Sequence, residues 1–245
     1  MRPIKVKQGV TRKPQRLTPG DLLGIAAPAA ALQGALAPGL EGTFRHGVQA
    51  LERLGFRVRV AKGVLQSRRH PDVPAHERAE DLNALFADHA VKGIICVAGG
   101  SGANAVLPLL DWSIIERQPK VVMGYSAITA LLNGLYARTG LVTFHGPMVL
   151  NGFSEFPDVF PYTRQHVLSV LSIPTPAGKL EPPIQWTSDW PREDRPRSMR
   201  PNRGWRWLQS GRAQGRLVGG NLSALRTVAG TAYWPPCRGA ILLIE

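Results

Sequence analysis

The chain of 245 residues is 44% hydrophobic and 19% charged, and its formal net charge is +13. The apolar content is typical of a globular protein with a sizeable core. No apolar run reaches the roughly 18 residues that a membrane-spanning helix needs, so we expect no membrane association. Cys96 and Cys237 lie far apart and form no CxxC motif. This argues against a zinc or disulfide framework and is typical of a reducing compartment such as the cytoplasm.

The positive charge is concentrated in two segments. The first 16 residues contain six basic residues and no acid, and the segment 186–216 contains eight arginines against three acids. Such clusters suggest a nucleic-acid-binding surface. The chain has no helix-turn-helix, zinc-finger or aromatic-basic strand motif, so we interpret the segments as a basic tail and a solvated loop and expect no nucleic-acid partner. Prolines and Asp21 interrupt the apolar stretch after the basic start, so we expect no secretion signal.

Apolar runs and helical patterns alternate along the first half of the chain. The predicted strands cover 22–27, 56–61, 93–97 and 121–123, and the predicted helices cover 41–54, 74–89 and 127–137, with a short helix that ends at residue 110. The alternating run at 56–61 indicates a strand near a sheet edge, whereas the wholly apolar runs indicate buried strands. The order of elements predicts an α/β fold, with a flavodoxin-like parallel sheet and helices on both faces. Sites in such folds form at the carboxyl ends of the strands.

The pattern changes after residue 150. The expected elements are a helix at 159–172, an irregular segment at 186–207, a strand at 214–218, a turn and helix cap at 219–221, a short helix at 222–229 and a strand at 239–245. The four tryptophans of the irregular segment argue against simple disorder and favour a substrate lid.

We therefore divide the chain into three parts. An N-terminal α/β domain covers 17–155, a helix with a Trp/Arg-rich insert covers 156–204, and a partial C-terminal α/β domain covers 205–245. Domains rarely end on an unpaired apolar strand, so we expect the C-terminal domain to be incomplete.

The best candidate for a catalytic residue is Ser126. The strand at 121–123 is followed by the turn Gly124-Tyr125-Ser126 and then by a helix, which is the layout of a nucleophile elbow. The helix start directs free N–H groups to the same point, where they would stabilise an oxyanion. The GxSxG pattern is incomplete because Ile128 replaces its second glycine, and serine is also a common N-cap. The pattern alone leaves both interpretations open.

A second candidate is the glycine turn Gly99-Gly100-Ser101-Gly102 after the strand at 93–97. A phosphate cradle is one interpretation, but no Lys-Ser/Thr follows and GxGxxG is not met. An oxyanion loop is the second, because glycine lets backbone N–H groups approach a substrate. A plain tight turn is the third. The presence of a serine elbow at another strand end favours the oxyanion loop.

Several long segments resemble the LD-carboxypeptidase family of serine peptidases. They are GDLLGIAAPA, GGSGANAVLPLLDW, VVMGYSAITALLNGLYARTGLVTFHGPM, GRLVGGNLSALRTVAGT and GAILLIE, which follow the family order over about residues 17 to 245. The insert with Trp186, Trp190 and GWRWL is more similar to the microcin-C immunity branch. That branch cleaves the amide of toxic peptidyl or aminoacyl nucleotides. The cell-wall recycling branch removes the terminal D-alanine of murein tetrapeptide.

The resemblance implies a Ser–Glu–His triad without a metal or organic cofactor. Ser126 matches the nucleophile, Glu245 matches the glutamate, and Gly100 of the Gly99-Gly100 pair matches the oxyanion glycine. The N–H of Ala127 is the second oxyanion donor. The triad histidine normally follows tens of residues later, and these residues are absent here. We therefore expect a truncated chain with an incomplete triad.

Two positions depart from the family pattern, and a third matches it but needs its own interpretation. Ala127 replaces an acid that the family usually has, which would change the electrostatics at the helix start. Ala98 replaces an arginine or another polar residue, which would remove a contact to a substrate carboxylate. His145 lies in an FHGP motif that the family carries beside its separate catalytic histidine. We interpret His145 as structural or substrate-shaping, because a surrogate base would have no counterpart in the family; without a base, serine is a poor nucleophile at neutral pH.

The resulting hypothesis is a serine carboxypeptidase-like hydrolase that acts on a small murein peptide or a microcin-like peptidyl or aminoacyl nucleotide. Trp186 and Trp205 of the insert are candidate substrate-binding residues, because aromatic and arginine side chains can stack on and pair with a nucleotide or acidic peptide. The alternative is a catalytically inactive, truncated homologue that acts at most as a binding module. An exposed, incomplete second domain would also favour a homodimer.

Overall fold

The structure is a computed structural model that describes residues 11–29, 40–65, 73–192 and 194–245. The basic tail before residue 11 lies outside the described residues. Up to residue 145 the elements are β1 Leu22–Ala26, α1 Glu41–Arg53, β2 Arg57–Val60, α2 Lys62–Leu65, α3 Ala75–Ala87, β3 Val91–Cys96, the 3-10 helix Ala103–Leu109, α4 Trp112–Arg117, β4 Val121–Gly124, α5 Ile128–Thr139 and β5 Phe144–His145. They are followed by α6 Pro161–Leu171, β6 Gln185–Trp186, β7 Arg200–Pro201, β8 Arg216–Gly220, α7 Leu222–Arg226 and β9 Ala240–Ile244. None of these helices combines the length and the apolar character that crossing a bilayer requires.

The first five strands form one parallel sheet flanked by helices, in the order β2-β1-β3-β4-β5. This is the flavodoxin-like strand order, so the predicted fold class is confirmed. β2 lies at one edge and exposes alternate residues, as its sequence pattern predicts. β3 and β4 are neighbours in the sheet, with Ile94 paired to Val122. The glycine turn after β3 and the serine turn after β4 therefore leave the same edge of the sheet side by side.

The core lies on both faces of this sheet. β1 and β4 are buried along their whole length, because helices cover both faces and no strand position points to water. α5 is buried almost all round, with Ile128, Leu131 and Leu135 fully enclosed. Such complete burial of β4 and α5 gives a rigid support to the turn between them.

Three predicted details differ from the structure. Gly219 and Gly220 belong to β8 and pair with β9, so they are not a turn. The helix before residue 110 is a 3-10 helix that contains Pro108, whose missing N–H is incompatible with an α-helical interior. The insert is not wholly irregular, because β6 and β7 form a short antiparallel pair in which Trp186 faces Arg200.

Candidate active site

The turn that carries Ser126 is tight and strained. Among the described residues, Ser126 is the only non-glycine residue with a positive φ, at 58°. Left-handed backbone is uncommon for a residue with a side chain and concentrates at functional sites. A Cβ atom at Gly124 would lie 2.9 Å from Ile128 Cγ2 and 3.2 Å from Cys96 Cβ, so the turn also requires a glycine before it.

The Ser126 hydroxyl is not used as a helix cap. The N-cap of α5 is Ala127, and it has no side-chain capping bond. The backbone carbonyl of Ser126 accepts from Thr129 N at 3.0 Å. No hydrogen bond between the described residues uses the hydroxyl of this half-buried serine. The N-cap interpretation therefore does not account for the serine.

The glycine turn lies directly against Ser126. A Cβ atom at Gly99 would be 2.8 Å from Ser126 Cβ, 2.9 Å from Ser126 Oγ and 3.6 Å from Ala127 N. Gly100 and Gly102 both have positive φ values, of 124° and 73°. Only a glycine backbone can approach the serine this closely, which is what an oxyanion loop needs.

Arg78 of α3 supports this turn from behind. Its side chain is buried, and Nη1 donates to Gly102 O at 3.0 Å and also to Pro28 O after β1. Burial lowers the pKa of the Arg78 guanidinium. The sequence pattern does not indicate this role for Arg78, because helical periodicity does not show that a charged position is buried against a turn 24 residues away.

A cavity of about 220 Å³ opens beside the serine. Its lining residues carry no charge and come from the glycine turn, the start of α5 and α7: Gly100, Ser101, Gly102, Ala103, Asn104, Ser126, Ala127, Ala130, Asn221, Ser223, Ala224 and Thr227. Hydroxyl and amide groups thus surround the space in front of the serine, and α7 of the C-terminal part forms one wall.

Two buried polar residues of α5 dock the C-terminal part at this place. Asn133 donates to Gly219 O at 2.7 Å and accepts from Gly219 N at 3.2 Å. Thr129 accepts from Asn221 N at 3.0 Å. A Cβ atom at Gly220 would lie 2.6 Å from Thr129 Oγ1, so glycine is needed for this close packing. The sequence does contain a signal for this docking, because Thr129 and Asn133 are polar positions in an otherwise apolar helix. The motifs considered above did not include them.

Glu245 follows β9 at the same end of the molecule. Its N–H donates to Gly220 O at 3.0 Å, and its carbonyl accepts from Leu222 N at 3.2 Å. Its Oε2 atom lies 3.2 Å from Nε2 of His145, which ends β5. Burial lowers the pKa of His145, while the neighbouring carboxylate of Glu245 opposes that shift. The described residues contain no group of three or more metal-ligating side chains.

The predicted site residues thus lie in three places: at the serine turn, beside His145, and on the insert. Gly99, Gly100, Ser126 and Ala127 lie together between the ends of β3 and β4, and Glu245 lies at the end of β5 against His145. Trp186 and Trp205 are exposed on the insert, and neither is among the residues that line the cavity. The Trp186 ring contacts Arg200, whose guanidinium carbon is 5.9 Å from the ring centroid.

Similarity to known proteins provides evidence that is independent of this geometry. The sequence model of the LD-carboxypeptidase N-terminal domain matches residues 23–146, and that of the LD-carboxypeptidase C-terminal domain matches residues 214–245. A putative carboxypeptidase of Vibrio cholerae is 34% identical over 94% of this chain and 68% of its own length. A probable murein peptide carboxypeptidase of Bacillus subtilis is 32% identical over 95% of this chain and 64% of its own length.

A solved structure matches as well. It is the microcin C7 self-immunity protein MccF of Escherichia coli in complex with aspartyl sulfamoyl adenosine. It aligns with a TM-score of 0.85 at 32% identity and covers 95% of this chain and 70% of that chain. The chain therefore spans about two thirds of the length of these three relatives.

Proposed function

The chain belongs to the LD-carboxypeptidase family of serine peptidases, and we propose that it provides the nucleophile, the oxyanion hole and the triad glutamate of an amide-hydrolysing site. In this proposal the Ser126 oxygen attacks the carbonyl carbon of a small peptide or of a peptidyl or aminoacyl nucleotide. The N–H groups of Gly100 and Ala127 donate to the oxyanion that forms.

Attack by Ser126 requires a base, because a neutral hydroxyl is a weak nucleophile. The family pattern supplies a histidine that takes the serine proton and returns it to the leaving amine, after which water releases the acyl group. We propose that Glu245 accepts the N–H of that imidazole and keeps it oriented. No cofactor takes part in the proposed steps.

One observation carries this proposal: the left-handed Ser126 lies against Gly99, and its hydroxyl makes no hydrogen bond with any residue that the structure describes. A structural serine at this place would be expected to cap α5 or to make a buried hydrogen bond. A strained serine that lies against a glycine turn and opens onto a neutral cavity matches the requirements of acyl transfer.

The test is labelling with a fluorophosphonate probe, followed by mass spectrometry of the labelled peptide. The triad histidine is absent from these 245 residues, so imidazole is added as an exogenous base. Under this condition we expect a single adduct on Ser126, lost in Ser126→Ala. Ser101→Ala is the matched control, because Ser101 lies exposed on the facing turn. An adduct that persists in Ser126→Ala, or no adduct under any condition, would contradict a nucleophilic serine.

Two substrate classes follow from the comparisons. An aminoacyl or peptidyl nucleotide is favoured by the MccF complex and by the exposed tryptophans of the insert. A murein peptide is favoured by the Bacillus subtilis relative. Calorimetric titration of Ser126→Ala with aspartyl sulfamoyl adenosine and with murein tetrapeptide separates them. Binding of either ligand combined with no labelling of Ser126 in the parent chain would support the binding-module alternative.

We also propose the division into parts at 17–155, 156–204 and 205–245. It is supported by the sheets, since each part contains its own: five strands in the first, β6 and β7 in the second, and β8 and β9 in the third. A cytoplasmic location remains a prediction, supported by the two cysteines, which form no disulfide.

We propose a homodimer on the strength of the exposed apolar side chains of the β8–β9 pair, among them Leu217, Leu242 and Ile244. Exposed apolar patches of this kind often mark protein interfaces. Sedimentation velocity over a hundredfold concentration range should show a dimer, and a monomer throughout would contradict it.

A further inference from the structure

We infer that His145 is a positioning residue that holds the carboxylate of Glu245 from outside the triad. The inference rests on the proposed function, because it concerns the same serine site. It assigns to His145 the task of fixing one oxygen of Glu245, so that the other oxygen is left for the triad imidazole.

The sheet fixes the position of His145. β5 pairs with β4 so that His145 faces Gly124, and Gly146 N donates to Gly124 O at 3.1 Å. His145 therefore sits beside the strand that ends in the serine turn. The ring of Tyr125 approaches its imidazole edge-on, with ring centroids 6.2 Å apart. The backbone of His145 cannot move away without breaking the pairing of the edge strand.

Glu245 is fixed from the other side. Its backbone is hydrogen-bonded to Gly220 and Leu222, and β8 is fastened to α5 through Asn133. Gly220 has a φ of 121°, and a Cβ atom there would lie 3.0 Å from His145 Nδ1. The glycine thus allows β8 to approach the imidazole, which brings Glu245 Oε2 to 3.2 Å from His145 Nε2.

The protonation state determines what this contact can do. Burial lowers the pKa of His145, against the opposing effect of Glu245, and this favours the neutral imidazole. A neutral imidazole has one N–H, and the contact with Glu245 requires it on Nε2. A neutral His145 then lies 3.2 Å from the carboxylate without adding a positive charge. Of the described charged groups, Glu245 on β9 is the one that faces the imidazole, and Tyr125 flanks it after β4.

The contact with His145 matters because the side chain of Glu245, which follows the last strand, can otherwise rotate. Oε2 lies 3.2 Å from His145 Nε2, while no ion pair or hydrogen bond between the described residues uses Oε1. A second donor to a triad carboxylate therefore selects one orientation, which is the usual contribution of residues that surround a catalytic group. The side chains of His145 and Glu245 are 29% and 40% exposed, so we expect a moderate effect.

Nuclear magnetic resonance titration of the imidazole signals tests the contact without depending on catalysis. In the 245-residue chain, His145→Gln identifies the His145 signal by its loss. Glu245→Gln should lower the pKa of His145 further, because it removes the carboxylate that raises it. An unchanged pKa of His145 in Glu245→Gln would overturn the inference.

Labelling of Ser126 by the fluorophosphonate probe tests the positioning role. With imidazole added as the exogenous base that Glu245 would orient, we expect His145→Leu to slow labelling on the order of tenfold, as the loss of a contact to a partly exposed carboxylate predicts. His145→Gln should restore most of the rate, because its amide N–H reaches a similar point. His166→Leu is the matched control, since His166 stacks on Tyr162 in α6.

His145→Leu that labels at the parental rate would overturn the positioning role. If the parent chain is never labelled, the proposed nucleophile fails instead, and the titration alone decides the contact. The two failures are therefore distinguishable.

Discussion

Ser126 and Gly99 illustrate how the site is set at the scale of single residues. The serine has a backbone conformation that costs of the order of 1–3 kcal/mol, and buried neighbours on β4 and α5 hold it there. The glycine opposite contributes by having no side chain. A methyl group at this position would occupy the space of the Ser126 Cβ and Oγ atoms.

Gly99→Ala should therefore disable the serine with little effect on folding. The added methyl would push the Ser126 side chain away from the oxyanion donors, and we expect labelling of Ser126 to fall about 100-fold. The free energy of unfolding should fall by only about 1–2 kcal/mol, as for other overpacked sites. Labelling rates and urea unfolding measure the two effects.

Gly211→Ala is the control for Gly99→Ala, because a Cβ atom at Gly211 meets no atom within 4 Å. Equal labelling of Gly99→Ala and the parent chain would contradict the close approach of the glycine turn to the serine.

At the scale of elements, one ion pair fastens the insert to the α/β domain. Arg197 donates to both carboxylate oxygens of Glu155, with Nε at 2.8 Å from Oε2 and Nη2 at 2.5 Å from Oε1. Glu155 is 1% exposed, and burial raises its pKa while Arg197 opposes the shift. Arg197 also donates to Asp189 O at 2.7 Å within the insert. The same guanidinium therefore orders the insert and anchors it.

Arg197→Ala should release the insert, because it leaves a buried carboxylate without its partner. Breaking such a pair costs about 3–5 kcal/mol, and we expect most of this cost to appear as local opening of 185–207. Limited proteolysis should cut the insert at least tenfold faster than in the parent chain. Arg195→Ala, at an exposed position in the same segment, should not change the rate. A protected insert in Arg197→Ala would show that other contacts hold it.

At the scale of the whole molecule, the net charge is +13, and some of the basic side chains that contribute to it make structural contacts. Within the insert, Arg197 is paired with Glu155 and Arg192 with Asp194. Lys120 is buried at the opposite end of the sheet from the serine, and its Nζ donates to the carbonyls of Leu85 and Asp88 at the end of α3. These three basic side chains thus have structural partners, and the expectation of no nucleic-acid partner remains a prediction.

Lys120 makes the stability of the whole chain depend on pH in a defined window. Burial lowers its pKa from 10.5 to about 8, against the opposing effect of Asp88. Below pH 8 the lysine is protonated in both the folded and the unfolded chain. Between pH 8 and 10.5 the unfolded chain binds more protons, so the free energy of unfolding rises with pH.

Comparison with Lys120→Met separates the contribution of Lys120 to the free energy of unfolding from that of other groups that lose protons at alkaline pH. Relative to that variant, the parent chain should gain about 2 kcal/mol of stability between pH 8 and 10, measured by chemical unfolding. A difference that stays constant or falls with pH would contradict the buried, readily deprotonated lysine.

The sequence by itself determined the parallel sheet, its edge strand and the positions of the serine and glycine turns. These follow from local information: apolar runs for the buried strands of the sheet, alternation for β2, and glycines where a turn needs them. Resemblance to the family then supplied the role of Glu245, which no local pattern indicates.

Only the tertiary structure decided which distant residues meet at the site. Three contacts show this: Arg78 lies behind the glycine turn, Asn133 lies under Gly219, and His145 lies against Glu245. They join residues 24, 86 and 100 positions apart. Arg78, Asn133 and His145 are all polar. A periodic sequence pattern can assign such a position only to a helix face or to a strand end. The partner of each is set by strand order and by close packing at glycines, which are properties of the folded chain and cannot be read from any single stretch of sequence.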